Sequence, residues 1–180
     1  MQALKIEGYY GYELWRTVDK NRQVMVDKGE GTNGIVDGGR EWLLNVMFDI
    51  GTTSAPAALY LGLLDNSFDA VKNDTTNTLT LCNTHQYASY TTPISPARVA
   101  WSAGAAGDST PAGYKEITNS STCNYTISGT GDLYGFFVTD DINTTSGSLW
   151  SVAEFDSRPI AVVNTDTVKL TYTVKIAVAT

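Results

Sequence analysis

The sequence predicts an all-β fold, a β-sandwich or jelly roll with one amphipathic helix and an N-terminal arm. Three observations carry that expectation. Twenty-four of the 180 residues are threonine, whose branched side chain loses rotamer freedom in a helix and fits a pleated surface. Candidate strands recur with turn residues at roughly eight- to twelve-residue intervals, and no helices alternate with them. In the last segment Val168, Leu170, Tyr172, Val174, Ile176 and Val178 alternate with Lys169, Thr171, Thr173, Lys175 and Ala177, which is the period of a strand with one face in the core.

Residues 1–34 read as an N-terminal arm or as edge strands. Leu4 and Ile6, then Tyr9, Tyr10 and Tyr12, then Trp15, then Val24 and Val26 form apolar clusters that fit two or three short strands, broken at Gly8, Gly11 and the "DKGEG" turn. Such an arm lies on the main domain or reaches a neighbouring subunit. Tyr9, Tyr10, Tyr12 and Trp15 are the candidate interface residues, because exposed tyrosine and tryptophan are enriched where proteins meet.

Residues 35–180 read as a single β-sandwich domain. Its helix lies near 40–50, where Ile35, Trp42, Leu43, Val46, Met47 and Ile50 recur at three- and four-residue steps and Gly51 supplies a stop. Gly38 and Gly39 weaken the first turn, so the firm part starts near Arg40. After Pro56, "AALYLGLLD" is a continuous apolar run, the mark of a strand buried on both faces. Residues 66–96 are polar and irregular, with one short strand at 79–81, and a loop this long in a compact domain is usually functional or contact-making. A short strand follows around Val99 and Trp101. The C-terminal third is the most regular, with strands at Ile117, at Tyr125 and Ile127, and over 133–138, 149–155, 160–163 and 168–178. The chain shows no internal repeat and no second hydrophobic core, and its length suits one domain.

Charge excludes one large class of function. The net charge of −7 has the sign of a phosphate backbone, so counterion release offers no affinity for nucleic acid. The N-terminal Lys5, Arg16, Lys20 and Arg22 are interleaved with Glu7, Glu13 and Asp19, a solvated mixed-charge face. No run has the length of a membrane span and the N-terminus lacks the order of a secretory signal, so the expectation is a soluble chain without a membrane partner. Cys82 and Cys123 are expected to be reduced and structural, and the four N-x-S/T sequons fall within an Asn/Thr-rich composition without implying glycosylation.

Catalysis through a Ser-His-Asp or Cys-His pair would have to use His85, the single histidine, and no G-x-S-x-G elbow accompanies it. Cys82, His85 and Cys123 fall short of the four ligands of a closed zinc site. Asp140, Asp141 and Glu154 are the carboxylates nearest to a glycosidase pair, yet adjacent aspartates beside Asn143 are what turn formation favours. "TDDINTTSG" lacks the spacing and distal Glu of a calcium loop, and Gly104 and Gly107 precede no phosphate-binding helix. The expectation is no catalytic residue, no cofactor and no metal.

Four segments in order, "NGIVDGGREWLLNVMF", "LYLGLLDNSFDAV", "ARVAWSAGAAG" leading into "ITNSSTCNYTISGTGDLYGFFVTDD", and "SGSLWSVAEFDSRPIAVVNTDTVKLTYTVKI", resemble a family of small β-rich virion structural proteins of tailed bacteriophages. The resemblance covers residues 33–178 and consists of packing motifs. It implies a non-enzymatic virion protein, first a capsid cement or decoration protein that bridges capsid subunits, and alternatively a tail fibre, adaptor or receptor-binding component. A glycan-acting enzyme ranks behind both. The implied partners are the major capsid protein or other virion proteins and further copies of the chain, as a dimer or trimer. The implied location is the capsid surface or tail, after synthesis in the host cytoplasm. Arg98 and Trp101 match the family's Arg-x-x-Trp and are read as structural, with Arg98 bracing the long loop.

Overall fold

The structure, a computed structural model, describes residues 4–20, 22–47, 58–66, 78–108 and 114–178. In chain order it contains β1 (Leu4–Asp19), β2 (Arg22–Ile35), α1 (Asp37–Met47), β3 (Leu59–Leu64), α2 (Leu79–Thr84), β4 (Tyr90–Thr92), β5 (Val99–Trp101), β6 (Gly107–Asp108), β7 (Tyr114–Thr118), β8 (Cys123–Ile127), β9 (Gly131–Leu133), β10 (Gly135–Thr139), β11 (Leu149–Glu154), β12 (Ile160–Val162) and β13 (Thr167–Val178). The fold is all-β. Among the described residues eleven strands form one curled sheet of order β4-β8-β13-β1-β2-β11-β10-β3-β5, with β7 beside β13 and β6 beside β7, while β9 and β12 pair separately.

The strand β2 turns the corner of this sheet. Up to Asn33 it pairs with β1, and at Gly34 and Ile35 it pairs with β11. The layer of β1, β13 and β8 therefore faces the layer of β11, β10 and β3, and the main core fills the space between them. Polar tips tie the layers together inside that core. Trp150 Nε1 donates to the Tyr172 hydroxyl at 2.8 Å, and the Tyr125 hydroxyl donates to the Leu61 carbonyl. At the open end β5 returns beside β8, with Val99 N donating to Tyr125 Oη at 3.3 Å, and Gly104 N donates to the Thr118 carbonyl at 2.7 Å.

Residues 4–35 are not an arm; they form a long hairpin in which β1 is a central strand, while β2, among the described residues, is unpaired on one side up to Thr32. β1 pairs with β13 from Leu4 to Trp15 on one side and with β2 on the other. Two of the glycines that read as breaks, Gly29 and Gly31 of the "DKGEG" run, are instead roofed by aromatic rings across the strand pair. Gly31 lies opposite Tyr10 and Gly29 opposite Tyr12. A Cβ on Gly31 would stand 2.7 Å from the Tyr10 hydroxyl, and one on Gly29 2.6 Å from the Tyr12 ring. The rings cover backbone that would otherwise be exposed, so the glycines let the strand continue.

Three further expectations are corrected. Residues 79–81 are not a strand but the first turn of α2, because the Thr78 hydroxyl accepts from Leu81 N at 3.2 Å as an N-cap, and Leu79 and Cys82 bury one side of the turn. The helix α1 begins at Asp37 rather than near Arg40. Gly39 sits against the Trp150 carbonyl, where any side chain would collide, and this contact with β11 outweighs the low propensity of the Gly-Gly pair. Leu43 packs on the main core; Ile50 and the side chains of Trp42, Val46 and Met47 lie outside the described residues. Finally, a second, smaller apolar cluster exists. Val36, Leu64, Leu79, Cys82, Phe137, Leu149 and Val152 fill the far face of the β11–β10–β3 layer, so that layer is buried on both sides, as the unbroken run in β3 requires.

Candidate functional site

Period two divides the residues of β1 between two faces. Tyr10, Tyr12 and Leu14 point into the core and are 4%, 3% and 2% exposed, which corrects Tyr10 and Tyr12 as interface residues. Tyr9 and Trp15 are half-buried on the opposite, outer face, with Gly11 and Glu13 between them. The alternation of Ile6, Tyr10, Tyr12 and Leu14 against Glu7, Tyr9, Glu13 and Trp15 is the signal that separates them.

Each of the two outer aromatics is locked between a lysine and a glutamate. Lys169 Nζ lies 4.5 Å from the centre of the Trp15 ring, and Trp15 Nε1 donates to Glu13 Oε2 at 2.7 Å. Lys175 Nζ lies 4.6 Å from the centre of the Tyr9 ring, and the Tyr9 hydroxyl donates to Glu7 Oε2 at 2.8 Å. Lys175 also pairs with Glu116 at 3.2 Å. The two clusters stand six residues apart on one strand, about 20 Å. Between them the floor drops at Gly11, flanked by Glu30 of β2 and Thr171 of β13. Two shallow cavities of about 400 and 630 Å³ meet over these three residues. Among the described residues nothing packs on Gly11 closely enough to require glycine there, since an added Cβ would find its nearest neighbours at 3.9 and 4.0 Å. The depression is built by omission of a side chain.

At the other end of the molecule Arg98 ties together two stretches, 83–86 at the end of α2 and 141–144 in the loop between β10 and β11. Its Nε donates to Gln86 Oε1 at 2.9 Å, Nη1 to the Asp141 carbonyl at 2.7 Å, and Nη2 to Asn83 Oδ1 at 2.8 Å and the Thr144 carbonyl at 3.0 Å. The guanidinium also lies 5.0 Å from the centre of the Phe137 ring. Trp101 donates its Nε1 to the Tyr172 carbonyl at 3.1 Å and meets the Tyr172 ring edge-on.

Set against known protein families, curated proteins and solved structures, the chain matches none. Its chemistry has to be read from its own side chains. Asp141 accepts from the amides of Asn143 at 2.9 Å and Thr144 at 2.6 Å, and Asp140 accepts from Ser148 N at 2.6 Å. These bonds close the loop between β10 and β11. Glu154 pairs with Arg158 at 3.0 Å. His85 caps the C-terminus of α2, its N–H donating to the Leu81 carbonyl at 3.2 Å, and its Nδ1 lies 3.8 Å from Asp65 Oδ1. Cys82 and Cys123 are free and buried, and burial pushes their thiols up to about 12 and about 11, so neither is a thiolate at neutral pH. Among the described residues no group of three His, Cys, Asp or Glu side chains is placed to hold a metal, and no helix is long and apolar enough to cross a membrane.

Sequence reasoning missed Gly11, Lys169 and Lys175 as parts of one surface. Cross-strand neighbours define all three, and a linear reading has no register to supply them.

Proposed function

We propose that the chain is a non-enzymatic structural protein of a tailed-phage virion. In this reading it is a capsid cement or decoration subunit that works as an oligomer, without cofactor, and bridges neighbouring capsid subunits. The observation that carries the reading is the outer face of β2, β1 and β13. Its two aromatic rings are held in place by lysine and glutamate before any partner arrives, so little side-chain entropy is lost on docking. Its charge is nearly balanced, with Lys28, Lys169 and Lys175 against Glu7, Glu13, Glu30 and Glu116, although the whole chain carries −7. A neighbouring subunit therefore meets rigid aromatic area without strong repulsion. A subunit that binds only the assembled lattice stabilises it by mass action.

The motif order of residues 33–178 supports the virion setting, and the outer face supports the docking role. Counting copies of the chain per capsid subunit in purified particles tests both. Cement requires a fixed stoichiometric ratio to the capsid protein, and stripped particles must then lose their genome at lower temperature. A small fixed number per particle points instead to a tail fibre, adaptor or receptor-binding part. Absence from particles, or turnover of a glycan by the purified chain, overturns the proposal.

A further inference from the structure

The free edge of β2 is the second surface that this topology leaves open. On one side β2 bonds to β1 along its length; on the other, among the described residues, it meets β11 only at Gly34 and Ile35. Val36 N donates to the Trp150 carbonyl at 3.2 Å on that same side. Counting back by twos along the strand, the backbone groups of Thr32, Glu30 and Lys28 face this edge. Among the described residues no strand pairs with them. The Lys28 amide is met by the adjacent Asp27 carboxylate, at 2.8 Å. The side chains of Lys28, Glu30 and Thr32 are exposed, and neither Lys28 nor Glu30 makes an ion pair among the described residues. A sheet edge of this kind is a template for another strand unless it is guarded. Here the guards are a register shift between Leu14 and Trp15, opposite 25–27, and the two charges.

We infer that two copies of the chain pair antiparallel through this edge, about a two-fold axis at Gly29. The charges select that register. Pairing centred on Lys28 sets it against the partner's Lys28, and pairing centred on Glu30 sets it against the partner's Glu30. Centring on Gly29 places Lys28 opposite the partner's Glu30 and Glu30 opposite the partner's Lys28, two attractive pairs from one contact. All three arrangements use the same edge-facing amides and each requires the Lys28 N–H to exchange Asp27 for the partner strand, so the backbone does not choose among them. Only the one at Gly29 is favoured by both charges. The resulting sheet is continuous across the two copies, and it aligns their outer faces into one surface carrying two Gly11 depressions. Exposed Met25 and Val26, at 44% and 43%, then lie near the partner's Thr32 end of the ladder and add apolar contact.

The inference deepens the reading of the chain as an oligomeric subunit and fixes which surface joins the copies. Sedimentation velocity on the full chain tests it. The intact chain is expected to dimerise, with Lys28→Glu and Glu30→Lys each weakening the dimer about tenfold or more. The double exchange K28E/E30K should restore it, and the two single variants mixed together should form a heterodimer. Thermal melts that match the unaltered chain show that the exposed substitutions leave the fold intact. A second test acts on the backbone. Glu30→Pro removes an edge-facing N–H without touching the ladder to β1, and should abolish pairing. A monomer throughout the micromolar range, a trimer, insensitive single variants or a double exchange without rescue would each overturn the inference. A dimer that behaves this way, from a chain absent from particles, keeps the inference and ends the virion reading. A monomer bound stoichiometrically to capsids does the reverse.

Discussion

Replacing Arg98 by alanine measures how much of the loop end depends on one buried cation. The side chain is fully buried and holds four acceptors. Two of these, Asn83 Oδ1 and Gln86 Oε1, belong to side chains that still reach water, so their loss costs little. The other two are the Asp141 and Thr144 carbonyls, which are fixed by the loop that carries them. A hydrogen bond to a charged donor contributes about 1.5–3 kcal/mol, so losing two removes roughly 3 kcal/mol. The guanidinium over Phe137 adds about 1 kcal/mol. The sum of about 4 kcal/mol sits within the range of about 3–5 kcal/mol for breaking a buried ionic contact. At about 2–4 °C per kcal/mol for a domain of this size, the melting temperature should fall by about 8–16 °C. Arg98→Lys keeps the charge but loses the planar fork, and should lie between the two. Urea unfolding followed by tryptophan fluorescence gives the free energy, and amide exchange over 140–148 reports the loop itself. A loss under about 1 kcal/mol for Arg98→Ala, or unchanged exchange in that loop, would show that the brace is incidental.

Two more expectations follow from the same geometry. Burial alone would raise the Asp141 carboxyl, but the Thr144 hydroxyl and amide, the Asn143 amide and Arg98 together hold it at about 2, below the usual 3.8. A depressed carboxyl contributes stability that is complete above its unfolded pKa and is lost as pH falls through the folded one. Roughly 1–2 kcal/mol should therefore disappear between about pH 4 and pH 2, and Asp141→Asn should flatten that limb in urea titrations across the window. Thr165, in the turn before β13, has φ of 74°, a left-handed conformation that a β-branched residue adopts at a cost. Its backbone N–H bonds to Ile127 and its carbonyl to Thr17, contacts that survive substitution. Thr165→Asn should raise stability by up to about 1 kcal/mol, and a thermal melt showing no gain would refute the assigned strain.

The parts of the fold that were legible in the sequence are those whose burial is decided within one segment. The alternation in β13 and the unbroken apolar run of β3 announce themselves because the period of a strand and its exposure are the same fact. The hairpin of β1 and β2 was not legible as a whole. Gly29 and Gly31 look like breaks until Tyr10 and Tyr12 are known to lie opposite them, and that register is a property of the paired strands. Even so, period two in "IEGYYGYEL" already sends Tyr10 and Tyr12 to the face of Ile6 and Leu14. The short helix α2, Leu-Thr-Leu-Cys-Asn-Thr, sets two leucines among four residues of low helix propensity. It exists because Thr78 caps it and because the second apolar cluster needs Leu79 and Cys82. The setting of Arg98 was not legible, because its four acceptors come from segments as distant as 83 and 144.

What these cases share also explains why the outer face stands apart from the rest of the molecule. Gly29 and Gly31 are glycines because a ring occupies the space of a side chain, and Gly39 because a carbonyl does. Gly11 has no such occupant, although a glycine in the middle of a central strand weakens it. A threonine there would meet only ordinary contacts and would favour the strand. Selection for stability alone therefore does not account for Gly11, whereas a surface that must receive a protruding group from a neighbour does. If that is the reason, Gly11→Thr should hold or raise the melting temperature while weakening attachment to the particle. The opposite pairing, lower stability with attachment unchanged, would return Gly11 to a purely structural role and leave the case for this face to its locked aromatic rings and balanced charge.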